Sequence, residues 1–282
     1  MSFRLAAPFF ERALELDPNF ALAYARLGTI YRNFGELEKA AEYRTKAYEL
    51  RDWVSERERL YITSHYHASL GDLEAQNETL ELTKQAYPRD YVAHHNLALN
   101  LMAIGDFDQV LINAQEALRL APEQAFPYHK VVWAYRSLGR SGEAKSVGEL
   151  ALDRGQDAVY LREELALEQD RPAEAIRLLE TARNYEKRLQ LTIYLRGLAY
   201  LADDSPGLAA SEFDRLLGPV MGARSIELER PLDHLGLARA HALSGDVMEA
   251  RKAYQTFFEV WQQADEDIPI LLEARAEYES LQ

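Results

Sequence analysis

The chain has 282 residues, 48% of them apolar, and 46 acidic against 32 basic side chains for a net charge of −14. That charge repels phosphate backbones and argues against nucleic acid as a general partner. The absence of cysteine excludes disulfides, thiol chemistry and thiolate metal sites, and no apolar run approaches the ~20 residues of a membrane span.

Residues 3–16 read as the second helix of a two-helix unit, with Pro8 kinking it unless the helix starts there. Its apolar residues Phe3, Leu5, Phe9 and Phe10 have no preceding partner, so this half-repeat (1–20) is expected to fray or to pack on a second copy of the chain. The start therefore reads as a truncation of a longer protein. In Leu16-Asp17-Pro18-Asn19, Asp17 is expected to cap the next helix with Pro18 in its first turn. Tyr87-Pro88 and Ala121-Pro122 repeat that punctuation.

From 21 to 54 the chain reads as helix, tight turn, antiparallel helix. Tyr24, Leu27, Gly28 and Tyr31 make one helical stripe, with Gly28 where a second helix must come close. Gly35 can take the left-handed conformation that ends a helix. Ala40, Tyr43, Ala47 and Leu50 then form the stripe of the second helix. The turn recurs at Gly35, Gly71, Gly105 and Gly139, and more loosely at Asp170, Asp204 and Gly245. Taken in chain order, the gaps are 36, 34, 34, 31, 34 and 41 residues. A period near 34 is the mark of stacked two-helix repeats.

The expected fold is all-α: a right-handed superhelical solenoid of about seven antiparallel helix pairs over 21–264. Irregular segments are expected near 157–170, where Arg162, Glu163, Glu164 and Glu168 charge a first helix, and near 218–231. Residues 265–282 read as a capping helix. Its acidic residues, Glu273 and Glu277 among them, face solvent in that reading.

Tyr24, Leu27, Gly28, Tyr31, Ala40, Ala47 and Asp17-Pro18 resemble the tetratricopeptide repeat signature. Leu97, Ala98, Gly105, Ala117 and Pro122 continue it, as do Tyr135, Gly139, Ala144, Ala151, Gly197, Tyr200, Ala209, Phe213, Leu237, Ala238, Gly245, Ala250 and Tyr254. The strings 7–28, 55–62 and 87–90 further resemble the repeat region that follows the catalytic domain of some bacterial serine/threonine protein kinases. A similar region follows the winged-helix domain of some bacterial regulators. The resemblance implies a non-catalytic, cytoplasmic interaction scaffold with a protein or peptide partner in a concave groove. The periplasm stays open as a compartment.

Five of the seven histidines fall between 65 and 129. By helix position His65, His95 and His129 face the groove in three consecutive units, beside Tyr61, Phe126 and Trp133. His67 and His94 fall on the packing stripe. Tyr160 and Tyr194 take groove positions in later units. Helices of adjacent units lie too far apart for three histidines to share one ion, so no metal and no cofactor are expected. For each aromatic taken alone, burial against a neighbour is an equal reading. No nucleophile triad, His-Glu-x-x-His motif, Gly-rich phosphate loop, His-Arg-Asp or Asp-Phe-Gly is present, so an enzyme is not expected. The rival reading is a small-ligand sensor that uses the same groove to regulate an attached effector domain.

Overall fold

The computed structural model describes residues 6–156, 159–183, 186, 190–218 and 230–281. Among these residues all regular structure is helical. The first helices are α1 (Ala7–Leu16), α2 (Ala21–Asn33), α3 (Leu37–Glu49), a 3-10 turn at Arg51–Trp53, α4 (Glu56–Leu70) and α5 (Leu73–Ala86). Next come α6 (Tyr91–Ile104), α7 (Phe107–Leu120), α8 (Ala125–Ser137), α9 (Ser141–Asp153), α10 (Val159–Glu168) and α11 (Pro172–Thr181). The order ends with α12 (Leu191–Ala202), α13 (Pro206–Leu217), α14 (Arg230–Leu243), α15 (Val247–Val260) and α16 (Pro269–Ser280).

Backbone packing divides the chain into two compact units, residues 1–93 and 94–282. Within each, helices pack on their sequence neighbours, as α2 on α3, α4 on α5, α8 on α9 and α14 on α15. The larger contacts beyond neighbours join every second helix. They are α2 with α4 in the first unit, and α8 with α10, α10 with α12 and α12 with α14 in the second. The first helix of each pair therefore belongs to the tightly stacked side, and its side chains meet those of the next repeat.

One hydrogen-bond plan explains the recurring turn. The N–H following the turn residue donates to a carbonyl five residues back: Glu36 to Tyr31, Asp72 to His67, Asp106 to Leu101, Arg140 to Tyr135, Arg171 to Ala166, Ser205 to Tyr200 and Asp246 to His241. This closure requires a left-handed residue between helix and turn. Glycines 35, 71, 105, 139 and 245 supply it, while Asp170 and Asp204 supply it at φ 54° and 52°. Aspartate is among the few residues that tolerate that region, so the looser members keep the same geometry. After Gly71, Gly105 and Gly245 the next residue is an aspartate whose carboxylate caps the second helix, accepting from the N–H of Ala75, Gln109 and Glu249. After the two aspartate turns, Pro172 and Pro206 sit in the first helical turn, where no N–H is needed.

Helix starts differ from expectation at the Asp-Pro punctuation. Asp17 does not cap α2; its carboxylate accepts from the N–H of Asn19 at 3.0 Å, and the helix begins only at Ala21. That side-chain turn occupies the residues around Pro18 and delays the helix. Pro88 and Pro122 likewise precede the starts of α6 and α8. Helix α1 starts at Ala7 with Pro8 in its first turn, the alternative under which no kink is expected. Phe10 and Leu14 of α1 pack on Leu27, Ile30 and Tyr31, whereas Phe9 is 73% exposed. Phe3 and Leu5 lie outside the described residues, as do 219–229 of the expected irregular segment.

In the second unit the Phe213 ring is held between α12 and α14, where a Cβ on Gly197 or Gly236 would stand 2.6 or 2.3 Å from it. The last repeat also returns to the unit's beginning. Trp261 Nε1–H donates to the Ala103 carbonyl at 2.9 Å, and its ring meets Phe107 edge-on at 6.0 Å. Helix α16 buries Leu271 and Ala274, and Ile268 just before it is buried as well. Its Glu273 is exposed, as expected, 3.5 Å from Arg239 of α14, whereas Glu277, also expected to face solvent, is half-buried, pairs with Arg239 at 3.0 Å and accepts from the Tyr254 hydroxyl.

Candidate functional site

In the first unit, Tyr61 and His65 lie one turn apart on α4, with rings 4.1 Å from centroid to centroid. The Tyr61 hydroxyl accepts from Arg26 Nη1 at 3.2 Å and lies 3.1 Å from Thr29 Oγ1, both on α2. The Arg26 guanidinium lies 4.5 Å over the Tyr61 ring. His65 Nδ1–H donates to the Tyr61 carbonyl at 2.9 Å. Burial, and after it the charges of Arg44, Arg26 and Arg32, push the His65 pKa down to about 3. Its imidazole is therefore neutral at physiological pH.

In the second unit, His95 of α6 lies 6.2 Å from Phe126 in the first turn of α8. Burial, then Lys130 and His129, lower the His95 pKa to about 4. Phe126 is 49% exposed. One turn further along α8, His129 is buried, and its Nδ1–H donates to Glu164 Oε1 of α10 at 2.6 Å. Trp133 follows, 5.3 Å from His129 and 5.4 Å from Tyr194 of α12, which in turn meets Phe213 at 5.9 Å. The sequence-derived positions thus adjoin across repeats as a ladder of rings. Only Phe126 is well exposed: His129, Trp133 and Tyr194 lie inside the packing, and His95 is half-buried. The Tyr160 side chain lies outside the described residues.

Sequence reasoning missed the carboxylates behind this ladder. Glu163 and Glu164, read as part of an irregular, charged segment, are both buried. His129 and Glu164 are 35 residues apart, close to one repeat period, and so are Arg26 and Tyr61. Pairing first-helix polar residues one period apart would have found both contacts. Among the described residues neither Glu163 oxygen has a hydrogen-bond partner. Burial and then the Glu164 charge, opposed by Arg196, push its pKa up to about 9. The folded chain therefore holds a proton that the unfolded chain releases near the ordinary glutamate value, and stability should fall as pH rises between those values. Glu163→Gln should abolish most of that slope and gain about 1 kcal/mol or more at pH 8 relative to pH 5 in urea unfolding. Parallel pH dependences for the two proteins would show that this carboxyl is ionised in the fold. Among the described residues, no group of three histidine, aspartate or glutamate side chains is placed to hold a metal ion.

The model of the tetratricopeptide repeat family matches residues 9–42. No curated protein matches the sequence. Among solved structures, the chain is similar to one in the APC/C hetero-tetramer Cut9-Hcn1, at TM-score 0.64 and 16% identity over 99% of this chain and 52% of that one. The chain thus spans about half the length of that relative. It is also similar to human IFIT1, solved as a dimer with m7Gppp-AAAA, at TM-score 0.55 and 15% identity over 99% and 72% of the two chains. A tetratricopeptide repeat protein from Parabacteroides merdae ATCC 43184 matches at TM-score 0.51 and 18% identity, over 84% and 92%. At these identities the similarity concerns the fold. Together, the matched segment and the paired-helix fold support a tetratricopeptide repeat protein.

Proposed function

We propose that the chain is a non-catalytic scaffold that binds a peptide or protein segment on its first-helix face, within a bacterial cytoplasmic signalling protein. Proteins of this fold generally mediate protein–protein contacts. The observation that carries the choice of face is Phe126, half-exposed beside His95 and backed by the buried ladder from His129 to Tyr194. A rigid, partly exposed ring on a fixed support is what an anchor for a partner side chain needs. Tyr61 and His65 offer a second aromatic and imidazole pair in the first unit.

Peptides selected from a random display library on the purified chain test this reading. Phe126→Ala should weaken the selected peptide at least about tenfold, or 1.4 kcal/mol, with the far-ultraviolet circular dichroism unchanged. Trp53→Ala, at an 88% exposed position in the other unit, should not. Peptides that bind the Phe126 variant as tightly as the parent would move the site off this face. The signalling context follows from the resemblance to kinase-linked repeat regions, and a kinase or DNA-binding domain in the full reading frame would establish it. The sensor reading has one observation in its favour, the buried His129–Glu164 pair with Glu163 beneath the same face. A small polar ligand that raised the melting temperature while no peptide bound would favour the sensor.

A further inference from the structure

The first unit holds positive charge that its own carboxylates do not neutralise. Arg26, Thr29 and Arg32 follow each other at three-residue spacing on α2 and share one face of that helix. Arg44 occupies the packing stripe of α3 between Ala40 and Ala47, the place that the aromatic rings of Phe213 and Tyr254 take after Ala209 and Ala250 in later repeats. Its stem crosses Gly28, where a Cβ would stand 2.7 Å from Arg44 Cγ.

Arg26 and Thr29 meet the Tyr61 hydroxyl of α4, while Arg44 lies against Gly28, one turn before Arg32 on the same helix. The His65 ring beside Tyr61 feels the charges of Arg44, Arg26 and Arg32, and Arg44 in turn feels Arg32 and Tyr61. Arg44 is 5% exposed, and its Nε is buried without a hydrogen-bond partner. Burial lowers the pKa of both Arg32 and Arg44, and no carboxylate offsets that effect at either residue. Arg26 directs one donor to the Tyr61 hydroxyl.

A buried guanidinium without a counter-ion is strongly unfavourable. The chain carries 46 carboxylates, and elsewhere it pairs its fully buried arginine: Arg196 is bound by Glu186 and Glu212. Among the described residues no carboxylate pairs with the buried Arg44 or the half-buried Arg32. We propose that Arg26, Arg32 and Arg44, with the hydroxyls of Thr29 and Tyr61, form a binding site for a phosphoryl group. A phosphomonoester carries close to two charges and three terminal oxygens, which suits several guanidinium forks and two hydroxyl donors. A carboxylate would leave most of the positive charge uncompensated. The site does not rest on the scaffold reading, because the phosphoryl group could arrive on a protein side chain or on a small metabolite.

The test is calorimetric titration of the full chain at constant ionic strength with inorganic phosphate, a phosphoserine peptide, glucose 6-phosphate and acetate. Saturable binding is expected for the phosphate probes and not for acetate. Arg44→Met and Arg32→Gln should each weaken it at least tenfold. Arg44→Met removes an uncompensated buried charge, so in phosphate-free buffer it should melt no lower than the parent, whereas a purely structural arginine would melt lower on loss. Arg26→Gln, at an exposed position, supplies a variant that keeps the packing should methionine at 44 not fold. Tighter binding of the peptide than of glucose 6-phosphate would identify a phosphorylated side chain as the source, and the reverse order a metabolite. No saturable binding of any phosphate probe, affinities unchanged in the variants, or acetate binding as tightly as phosphate would each overturn the site.

Discussion

Replacing Arg196 with alanine should destabilise the second unit by about 3 kcal/mol or more. Arg196 is fully buried. Its Nε and Nη2 donate to the two carboxylate oxygens of Glu212, each at 2.9 Å, and Nη2 also reaches Glu186. Arg215 bonds both glutamates from the rim, and Arg183 lies 4.0 and 3.9 Å from them. Alanine would leave two buried carboxylates to those more exposed arginines and open a cavity besides. The double replacement Arg196→Met, Glu212→Met should lose less than the single alanine, because it removes charges together and keeps the volume. Urea unfolding followed by Trp133 and Trp261, both in this unit, reads the effect. A single variant with the parent's midpoint would mean that the network adds nothing. Acid supplies a second readout. Burial raises the Glu186 pKa, but the hydrogen bonds from Arg215 and Arg196 outweigh it and leave the pKa below the ordinary value. Its contribution is present above the ordinary glutamate pKa and is lost as pH falls through the lower folded one, a dependence that Arg196→Ala should flatten.

The parts of this architecture legible in the sequence are those fixed by one or two residues. A left-handed turn selects glycine, or aspartate as second choice, so Gly105 and Asp204 mark helix ends without any tertiary information. Helical spacing likewise puts Tyr61 and His65, or His129 and Trp133, on one face of one helix. Exposure was not legible, because it depends on what the neighbouring repeats lay over that face. Tyr194 meets Trp133, and nothing near residue 133 announces it. Glu163 and Glu164 misled for a related reason: a charge run on an isolated helix is solvated, but on a first helix it turns toward the stacked side. The Asp-Pro starts were ambiguous because proline suits both a helix's first turn and the turn before it. The return of Trp261 to Ala103 links residues 158 apart in sequence. It arises from small rotations accumulated over the intervening repeats, which no local pattern encodes.

That return makes two similar turn glycines unequal. Gly105 and Gly139 both end first helices in the left-handed region, at φ 81° and 69°. A side chain at either should lose about 1–2 kcal/mol from the backbone alone. Around Gly139 the nearest atoms to an added Cβ belong to Pro269 at 3.8 Å, an ordinary contact. At Gly105 the same atom would stand 2.7 Å from the Ala264 Cβ and 3.1 Å from the Trp261 ring. Valine there must push Trp261 away from Phe107 and from the Ala103 carbonyl, breaking the closure as well as straining the turn. Gly139→Val should therefore lose only the backbone term, while Gly105→Val should lose about 3 kcal/mol or more, within the range for overpacking added to strain. The pair Gly105→Ala, Ala264→Gly separates the two effects: relief of the contact should recover part of the loss of Gly105→Ala and leave the turn penalty. Urea midpoints measure the losses, and a shift in Trp261 emission in native buffer would accompany Gly105→Val but not Gly139→Val. Equal losses at the two glycines would mean that the last repeat's return contributes no stability, and that the unit behaves as a row of neighbours with free ends.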